Sequence, residues 1–166
     1  MPRLRDHQYK TTVTWTGNQG TGTSGYKAYT RQYLVQTEGK PDLLGSSDPF
    51  FRGDADRYNP EDLLLIALSA CHMLAYLHLC AVNNIIVLDY VDRAEGTMTE
   101  TAGGGGKFSS VTLHPHITVT PDSDQELARE LHHQASLDCF IAASVNFPVL
   151  HEPEIVLSAT QANVAG

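Results

Sequence analysis

Residues 59–84, NPEDLLLIALSACHMLAYLHLCAVNN, contain the clearest helix signals in the chain. Asn59 suits the N-cap of a helix, Pro60 suits its first turn, and acidic residues follow where the helix dipole favours them. The sequence predicts a helix to about Val82 that is apolar on every face and must be covered on every face. A membrane span is the alternative for such a segment, but Ser69, two histidines and the lack of basic flanks favour a core helix.

Length and composition narrow the class of protein. The chain has 166 residues, 42% of them hydrophobic and 18% charged, which indicates one folded domain over residues 1–166. The net charge of -8 argues against nucleic acid or an anionic membrane as the main partner. Three cysteines and no apolar leader in the first ten residues favour reduced thiols in the cytoplasm.

The remaining elements alternate around this helix. A capping-box pattern at Ser123 and Glu126 predicts a second helix over about 124–136, and a short helix is expected from Cys139. Patterns rich in β-branched and aromatic residues predict strands at 7–16, 26–36, 85–100, 108–120 and 153–160. This order indicates an α+β fold in which an antiparallel-rich sheet packs on a long central helix.

The three cysteines differ in their predicted surroundings. Cys80 lies nine residues after Cys71, on roughly the opposite face of the helix, and is interpreted as a small buried hydrophobe. Cys139 follows Asp138, a candidate N-cap, so the positive end of the expected short helix should lower the pKa of its thiol. For Cys71 and Cys139 the residues alone leave both packing and reactivity open.

The histidines give no convincing metal site. Cys71 and His78 share a helix face, but two ligands do not make a zinc site, and the sequence has no CxxC or HxxxH pair. His132 and His133 are expected on the polar side of the second helix. We therefore expect neither a metal nor a cofactor.

Two segments carry a family resemblance. Residues 59–71, NPEDLLLIALSAC, resemble the first-cysteine motif of the OsmC/Ohr family, with the cysteine ten residues after the Glu. Residues 139–149, CFIAASVNFPV, resemble the second-cysteine segment of an OsmC-like subgroup, and the likeness extends over about residues 7–157. The resemblance implies a two-layer α+β fold built as an intertwined homodimer, with its sites at the subunit interface. It also implies an antioxidant, stress-response thiol peroxidase for organic hydroperoxides.

The resemblance also assigns roles to residues. Cys71 would be the peroxidatic cysteine, whose sulfenate condenses with Cys139 to a disulfide that an external dithiol reduces, a lipoyl-type dithiol being one candidate. Glu61 would pair with an Arg near the reactive thiol. Arg31 and Arg52 are the two candidates, and Arg31 is favoured because its predicted strand face is otherwise apolar or aromatic.

Two other classes of function remain open. Cys71 could be the nucleophile of a Cys–His hydrolase, although it would then sit inside a long helix. The chain could also be a non-catalytic binder of apolar ligands with the same fold. Thiol chemistry separates the three, because only the peroxidase loses two thiols on treatment with hydroperoxide.

Overall fold

Three short antiparallel strands form the first sheet in a computed structural model that describes residues 5–159. They are β1 (Thr12–Trp15), β2 (Tyr33–Gln36) and β3 (Leu43–Gly45), in the order β1-β2-β3. A 3-10 turn at Pro49–Phe51 follows. The sheet and turn belong to one compact unit that ends at Leu63, and a second unit begins at Leu64.

The predicted N-terminal hairpin is present, but its strands are shorter than expected. Strands β1 and β2 pair antiparallel from Thr12 with Gln36 to Trp15 with Tyr33. The prediction of a strand over 26–36 is wrong for its first half, which contains Arg31 and forms a loop closed by a single bridge between Asn18 and Tyr29. The face argument that favoured Arg31 therefore fails.

The long helix α1 (Pro60–Val82) begins and ends where the sequence predicts. The Asn59 side chain accepts from the Asp62 N–H at 2.7 Å, and the Asp62 carboxylate accepts from the Asn59 N–H at 3.3 Å. This reciprocal cap satisfies two backbone donors. At the other end, Asn84 has φ of 59° and Ile85 donates to the Cys80 carbonyl, which is the left-handed termination of a Schellman motif.

Two three-stranded sheets follow in the second unit. In each, an antiparallel pair is extended by one parallel strand. One sheet has the order β4 (Val87–Asp92), β7 (Pro115–Val119) and β9 (Glu154–Leu157), and the other β5 (Glu95–Glu100), β6 (Gly106–Leu113) and β8 (Val149–His151).

The strands predicted over 85–100 and 108–120 are each broken in two, so that each contributes to both sheets. The break lies at Arg93–Ala94 on one side and at His114 on the other. There the Asp92 side chain accepts from the His114 N–H at 2.8 Å, in place of a ladder partner, and Pro115 has no N–H to give. The strand predicted at 153–160 is β9, and Thr160 lies outside the described residues. The sequence pattern predicts neither β3 nor β8.

Helix α2 (Gln125–Asp138) begins one residue later and ends two residues later than predicted. Its N-cap is Asp124, whose carboxylate accepts from two backbone N–H groups, while the Ser123 hydroxyl contacts Thr120 instead. Because α2 runs through Asp138, Cys139 is its C-cap rather than the start of another helix. The expected helix from Cys139 is wrong, and only a 3-10 turn at Ala142–Ser144 follows.

Helix α1 buries one stripe and exposes apolar residues outside it. Leu68 is buried in a cluster with β6 residues, and the next turns bury His72, Tyr76 and Cys80. Leu74 on another face is 63% exposed. The described residues thus leave apolar faces of α1 uncovered, and within them α1 is the one helix long and apolar enough to cross a membrane by length and composition.

Candidate functional site

The second unit brings two of the three thiols together. Cys71 is half-buried in the middle of α1, and Cys139 is 1% exposed at the end of α2. The Cys71 thiol lies close enough to that of Cys139 to raise its pKa. The Ala142 N–H points at the Cys139 sulfur at 3.4 Å. The two thiols that resemble the family's cysteines are therefore neighbours in the reduced chain.

The predicted low pKa of Cys139 is wrong. Burial is the main cause that raises the pKa of its thiol, to about 11, and the contact with Cys71 adds to this. The Ala142 N–H acts in the opposite direction without reversing it. The premise of the expectation also fails, because Cys139 is the C-cap of α2 and does not lie in the first turn of a helix.

Cys80 is separate from this pair. It lies in the core cluster with Ile117 and Val119, and burial raises the pKa of its thiol. The contact with Tyr76 acts in the opposite direction on the pKa of the Cys80 thiol, without offsetting burial. This surrounding matches its interpretation as a small buried hydrophobe.

Two histidines form a buried pair that the sequence analysis missed. His72 Nε2 lies 3.0 Å from His132 Nδ1, and the two rings stack at an interplanar angle of 11°. His132 also stacks on Tyr76 at 3.7 Å, and His151 lies 5.5 Å from the His72 ring. The expectation that His132 faces solvent is wrong, because it belongs to the buried stripe of α2 with Ala128, Leu131 and Ala135.

Burial keeps this pair neutral. It lowers the pKa of His72 to about 4 and that of His132 to about 3, and a proton on a neighbouring imidazole would act in the same direction. One imidazole must therefore donate to the other. His132 Nε2 is buried and has no hydrogen-bond partner among residues 5–159.

In the first unit, both candidate arginines lie near Tyr26. The Arg31 guanidinium lies 4.5 Å from the Tyr26 ring centroid and 4.2 Å from that of Tyr29, and it donates to both of their carbonyl oxygens. The Arg52 guanidinium lies 5.8 Å from the same Tyr26 ring. Arg31 is thus held in the loop by two hydrogen bonds and two ring contacts. Arg52, whose backbone is left-handed with φ of 66°, makes a single ring contact, with Tyr26.

Glu61 lies in the first turn of α1 beside Tyr33. The charges of Glu61 and Asp62, after burial, raise the pKa of the Tyr33 hydroxyl, which lies 3.4 Å from the Tyr58 carbonyl oxygen. Glu61 Oε2 is buried and has no hydrogen-bond partner within residues 5–159. A buried carboxylate oxygen in this state is stabilised by any donor that reaches it, above all by a guanidinium.

An open groove of about 460 Å³ follows the turns of α1 on either side of Ala70. Its walls are mainly apolar. Two of its polar side chains are joined by a hydrogen bond from the Ser69 hydroxyl to Asp92. The lining residues are Leu65, Ile66, Ser69, Ala70, Met73, Tyr90, Asp92, Arg93 and Ala94. The groove is suited to an apolar molecule and adjoins the helical turn that carries Cys71.

Metal chemistry finds no support in the described part of the chain. Within residues 5–159 no group of three or more His, Cys, Asp or Glu side chains is placed to hold a metal ion. His78 is exposed on α1, and the stacked arrangement of His72 and His132 directs one nitrogen at the other rather than both at a common point.

Comparison with known families decides the relationship that this geometry suggests. Residues 53–154 match the sequence profile of the OsmC-like protein family, and this match includes Glu61 and both contacting cysteines. The chain belongs to the OsmC-like protein family. The sequence has no significant match among curated proteins.

Solved structures of other OsmC-like proteins share the fold. An OsmC-like protein of unknown function from Vibrio cholerae is 27% identical, with a TM-score of 0.80 over 89% of this chain and 99% of that one. An organic hydroperoxide resistance protein OsmC from Legionella pneumophila is 23% identical, with a TM-score of 0.64 over 90% and 98%. An organic hydroperoxide resistance protein from Elizabethkingia anophelis is 19% identical, with a TM-score of 0.67 over 95% of this chain and 100% of that one. The predicted α+β fold is therefore confirmed.

Proposed function

We propose that this OsmC-like protein is a thiol peroxidase that reduces organic hydroperoxides through Cys71 and Cys139. The observation that carries the proposal is the contact between these two thiols, which come from different helices and are the cysteines of the two family-like segments. Membership of the OsmC-like family and fold neighbours that are hydroperoxide resistance proteins support a peroxide-related stress function.

The reaction balances with one dithiol consumed per hydroperoxide. The Cys71 thiolate attacks the terminal oxygen of ROOH, the O–O bond breaks, and the alkoxide takes a proton to leave as an alcohol. The Cys139 thiolate then attacks the sulfur of the Cys71 sulfenic acid, and hydroxide leaves and takes a proton as water. An external dithiol reduces the resulting disulfide by exchange.

The exposure of the two thiols supports this order. Cys71 is half-buried and within reach of a substrate, whereas Cys139 is almost fully buried. The raised pKa of Cys139 keeps it a thiol at neutral pH, so it is the poorer nucleophile for a peroxide. Cys139 then acts only on a sulfenic acid formed beside it.

Glu61 and one arginine are proposed to complete the reactive centre. The unpartnered Glu61 oxygen suits a guanidinium, and a guanidinium near a thiolate stabilises its charge and can donate to the leaving alkoxide. Arg31 and Arg52 both remain candidates, and Arg52 is the less engaged of the two.

A homodimer is proposed as the working form. Ten residues of α1 separate Glu61 from Cys71, which places their backbones about 15 Å apart along the helix. An arginine must span this distance, or Glu61 must reach the Cys71 of a second copy. The exposed apolar residues of α1, such as Ile66 and Leu74, provide a surface that a second copy would cover.

The structure gives no support to the hydrolase alternative, in which His72 would be the base for Cys71. His72, the residue next to Cys71, is buried and paired with His132 rather than with the thiol. A nucleophilic cysteine in a hydrolase needs an imidazole within hydrogen-bonding reach. The apolar groove is compatible with the binder alternative, which thiol chemistry tests.

The decisive experiment is stoichiometric titration of the reduced protein with cumene hydroperoxide, followed by thiol counting and peptide mapping. The proposal requires the loss of two thiols per chain and a Cys71–Cys139 disulfide, while Cys80 stays reduced. A Cys80→Ser variant is the control and should behave as the unaltered chain. Retention of all thiols, or a bridge that includes Cys80, contradicts the proposal. A dithiol such as dihydrolipoamide should restore both thiols, as expected for a protein of the reducing cytoplasm.

A further inference from the structure

The buried contact between His72 and His132 connects the two helices that carry the contacting thiols. His72 directly follows Cys71 on α1, and His132 lies on α2, two helical turns before Cys139. Both histidines are almost fully buried, at 2% and 0% exposure. Ala128, His132, Ala135 and Cys139 are all buried, so one stripe of α2 includes both the histidine and the thiol.

A polar pair is an unusual choice for this position. Two apolar side chains would stabilise the contact between the helices without leaving a buried nitrogen unpaired, as His132 Nε2 is among the described residues. A hydrogen bond adds what apolar packing lacks, since it tolerates only a narrow range of distance and angle. The hydrogen bond therefore restricts sliding of α1 along α2 more than an apolar contact would.

The surrounding groups maintain the pair in one state near neutral pH. Tyr76 stacks on His132 from α1, and His151 of β8 faces both rings. The Arg129 charge on α2 lowers the pKa of His132, and a charge on His133 would lower that of His151. The Asp92 carboxylate of β4 acts the other way and raises the pKa of His72, but burial outweighs it. The hydrogen-bonded pair is therefore neutral near neutral pH.

We propose that the His72–His132 hydrogen bond is a positioning element that sets the register of α1 against α2 and so holds Cys71 and Cys139 at the separation their disulfide needs. The proposal rests on the proposed function in that this disulfide is the product of peroxide reduction. A disulfide closes only when its Cα atoms lie within about 7 Å, so a shift of one helix along the other by a fraction of a turn is enough to prevent it. Both histidines are positioning residues and touch no substrate.

The test measures the Cys71–Cys139 disulfide in redox equilibrium with glutathione, without any peroxide. His132→Phe keeps a stacking ring but removes the bond, and should lower the effective concentration of the two thiols about tenfold, as expected from the loss of one buried hydrogen bond. His132→Asn places an amide where Nδ1 lies and should stay within about threefold of the unaltered chain.

Tyr76→Phe is the matched control. It removes the 3.0 Å hydrogen bond from the Tyr76 hydroxyl to the Ala128 carbonyl, which also joins α1 to α2 but lies one turn further from both thiols. Its effective concentration should change by less than about threefold. A loss as large as that of His132→Phe would overturn the proposal, because it would show that any buried bond between the helices has the same effect.

Two further outcomes overturn the proposal. One is a His132→Phe chain that is folded and retains the effective concentration of the unaltered chain. The other is unfolding of both His132→Phe and His72→Leu, by circular dichroism at 25 °C, which would make the pair a requirement for folding rather than for register. Failure of the proposed function is recognised separately: the unaltered chain would then form the disulfide with glutathione but not consume cumene hydroperoxide.

Discussion

The thiol of Cys71, half-exposed on α1, contacts the thiol of Cys139, which is almost fully buried at the C-terminal end of α2. This asymmetry of exposure supports the proposed order, in which Cys71 reacts first. We predict that Cys71→Ser reduces hydroperoxide consumption to the uncatalysed rate, since the attacking sulfur is gone. Cys139→Ser should still react once and accumulate a sulfenic acid that dimedone traps and mass spectrometry detects. Equal loss of the first oxidation in both variants would contradict the assigned order.

The raised pKa of Cys139 predicts the pH dependence of disulfide closure. Only the thiolate attacks the sulfenic sulfur, and a thiol with a pKa of about 11 gains thiolate about tenfold per pH unit below that value. Burial, the main cause of this raised pKa, persists once Cys71 is oxidised, so the rate of closure should still be rising with pH at about pH 9. Stopped-flow measurement of disulfide formation after a single dose of peroxide gives this slope. A rate that levels off near pH 7 would show that Cys139 is activated by a group that the reduced structure does not place beside it.

The buried histidine pair predicts a loss of stability in mild acid. In the unfolded chain each imidazole titrates near 6.5, whereas in the fold the pKa of His72 is about 4 and that of His132 about 3. The unfolded chain therefore binds more protons between these values, and the free energy of unfolding falls as the pH decreases from about 6.5. One to two protons correspond to about 1.4–2.7 kcal/mol per pH unit.

Urea denaturation at a series of pH values between 7 and 5 measures this slope. Replacing one imidazole by an amide, as in His132→Asn, removes one titrating group and should reduce the slope by up to about 1.4 kcal/mol per pH unit. Lys107→Gln, an exposed change on β6, is a suitable control and should leave the slope unchanged. A slope that is identical in His132→Asn and the unaltered chain would show that the pair is protonated in the fold.

The extent to which the sequence predicts this protein depends on whether the determining contact is local. The sequence predicts helix α1 because its caps involve neighbours in sequence, Asn59 with Asp62 and Ile85 with Cys80. The sequence does not predict the breaks at Arg93 and His114, because the alternating pattern of side chains continues through them. The determining hydrogen bond, from the His114 N–H to Asp92, is a tertiary contact.

The candidate site shows the same limit. The resemblance points to Cys71 and Cys139, and the structure brings them together, but Asp138 is the last residue of α2 rather than an N-cap. Polarity alone does not predict the histidine pair. Their spacing contained the signal: His72 continues the stripe of Leu68, Tyr76 and Cys80, and His132 continues that of Ala128 and Ala135.

The close approach of Gly45 to Tyr33 predicts that the stability of the first unit is sensitive to substitution of this glycine. A Cβ atom at Gly45 would lie 2.1 Å from the Tyr33 ring, far inside van der Waals contact. Gly45→Ala should therefore destabilise the unit by about 1–3 kcal/mol, the usual effect of overpacking. Gly25→Ala is the matched control, because a Cβ there meets nothing within 4 Å and its φ is not positive. Thermal denaturation compares the two, and equal melting temperatures would contradict the tight packing of Tyr33 against β3.

The exposed apolar side of α1 predicts a stable homodimer. Leu74 is 63% exposed and Ile66 48% exposed, on a helix whose own buried stripe includes His72 and Tyr76. A helix with this distribution is stabilised when a second copy covers its apolar side, and an obligate interface buries more than about 2,000 Å².

Sedimentation equilibrium at micromolar concentration should therefore give about twice the 18.1 kDa of one chain. Leu74→Glu places a charge on this side and should shift the equilibrium toward the monomer by at least about tenfold, as expected for an unpaired charge in an apolar interface. Thr99→Glu adds the same charge at an exposed position of β5 and should leave the dimer intact. If Leu74→Glu dissociates the dimer and also abolishes peroxide reduction, the partner contributes to the centre at Cys71, as the separation of Glu61 from Cys71 along α1 requires when no arginine spans it. A folded monomer of the unaltered chain with full peroxidase activity would exclude that arrangement and leave the arginine as the only link between Glu61 and the thiol.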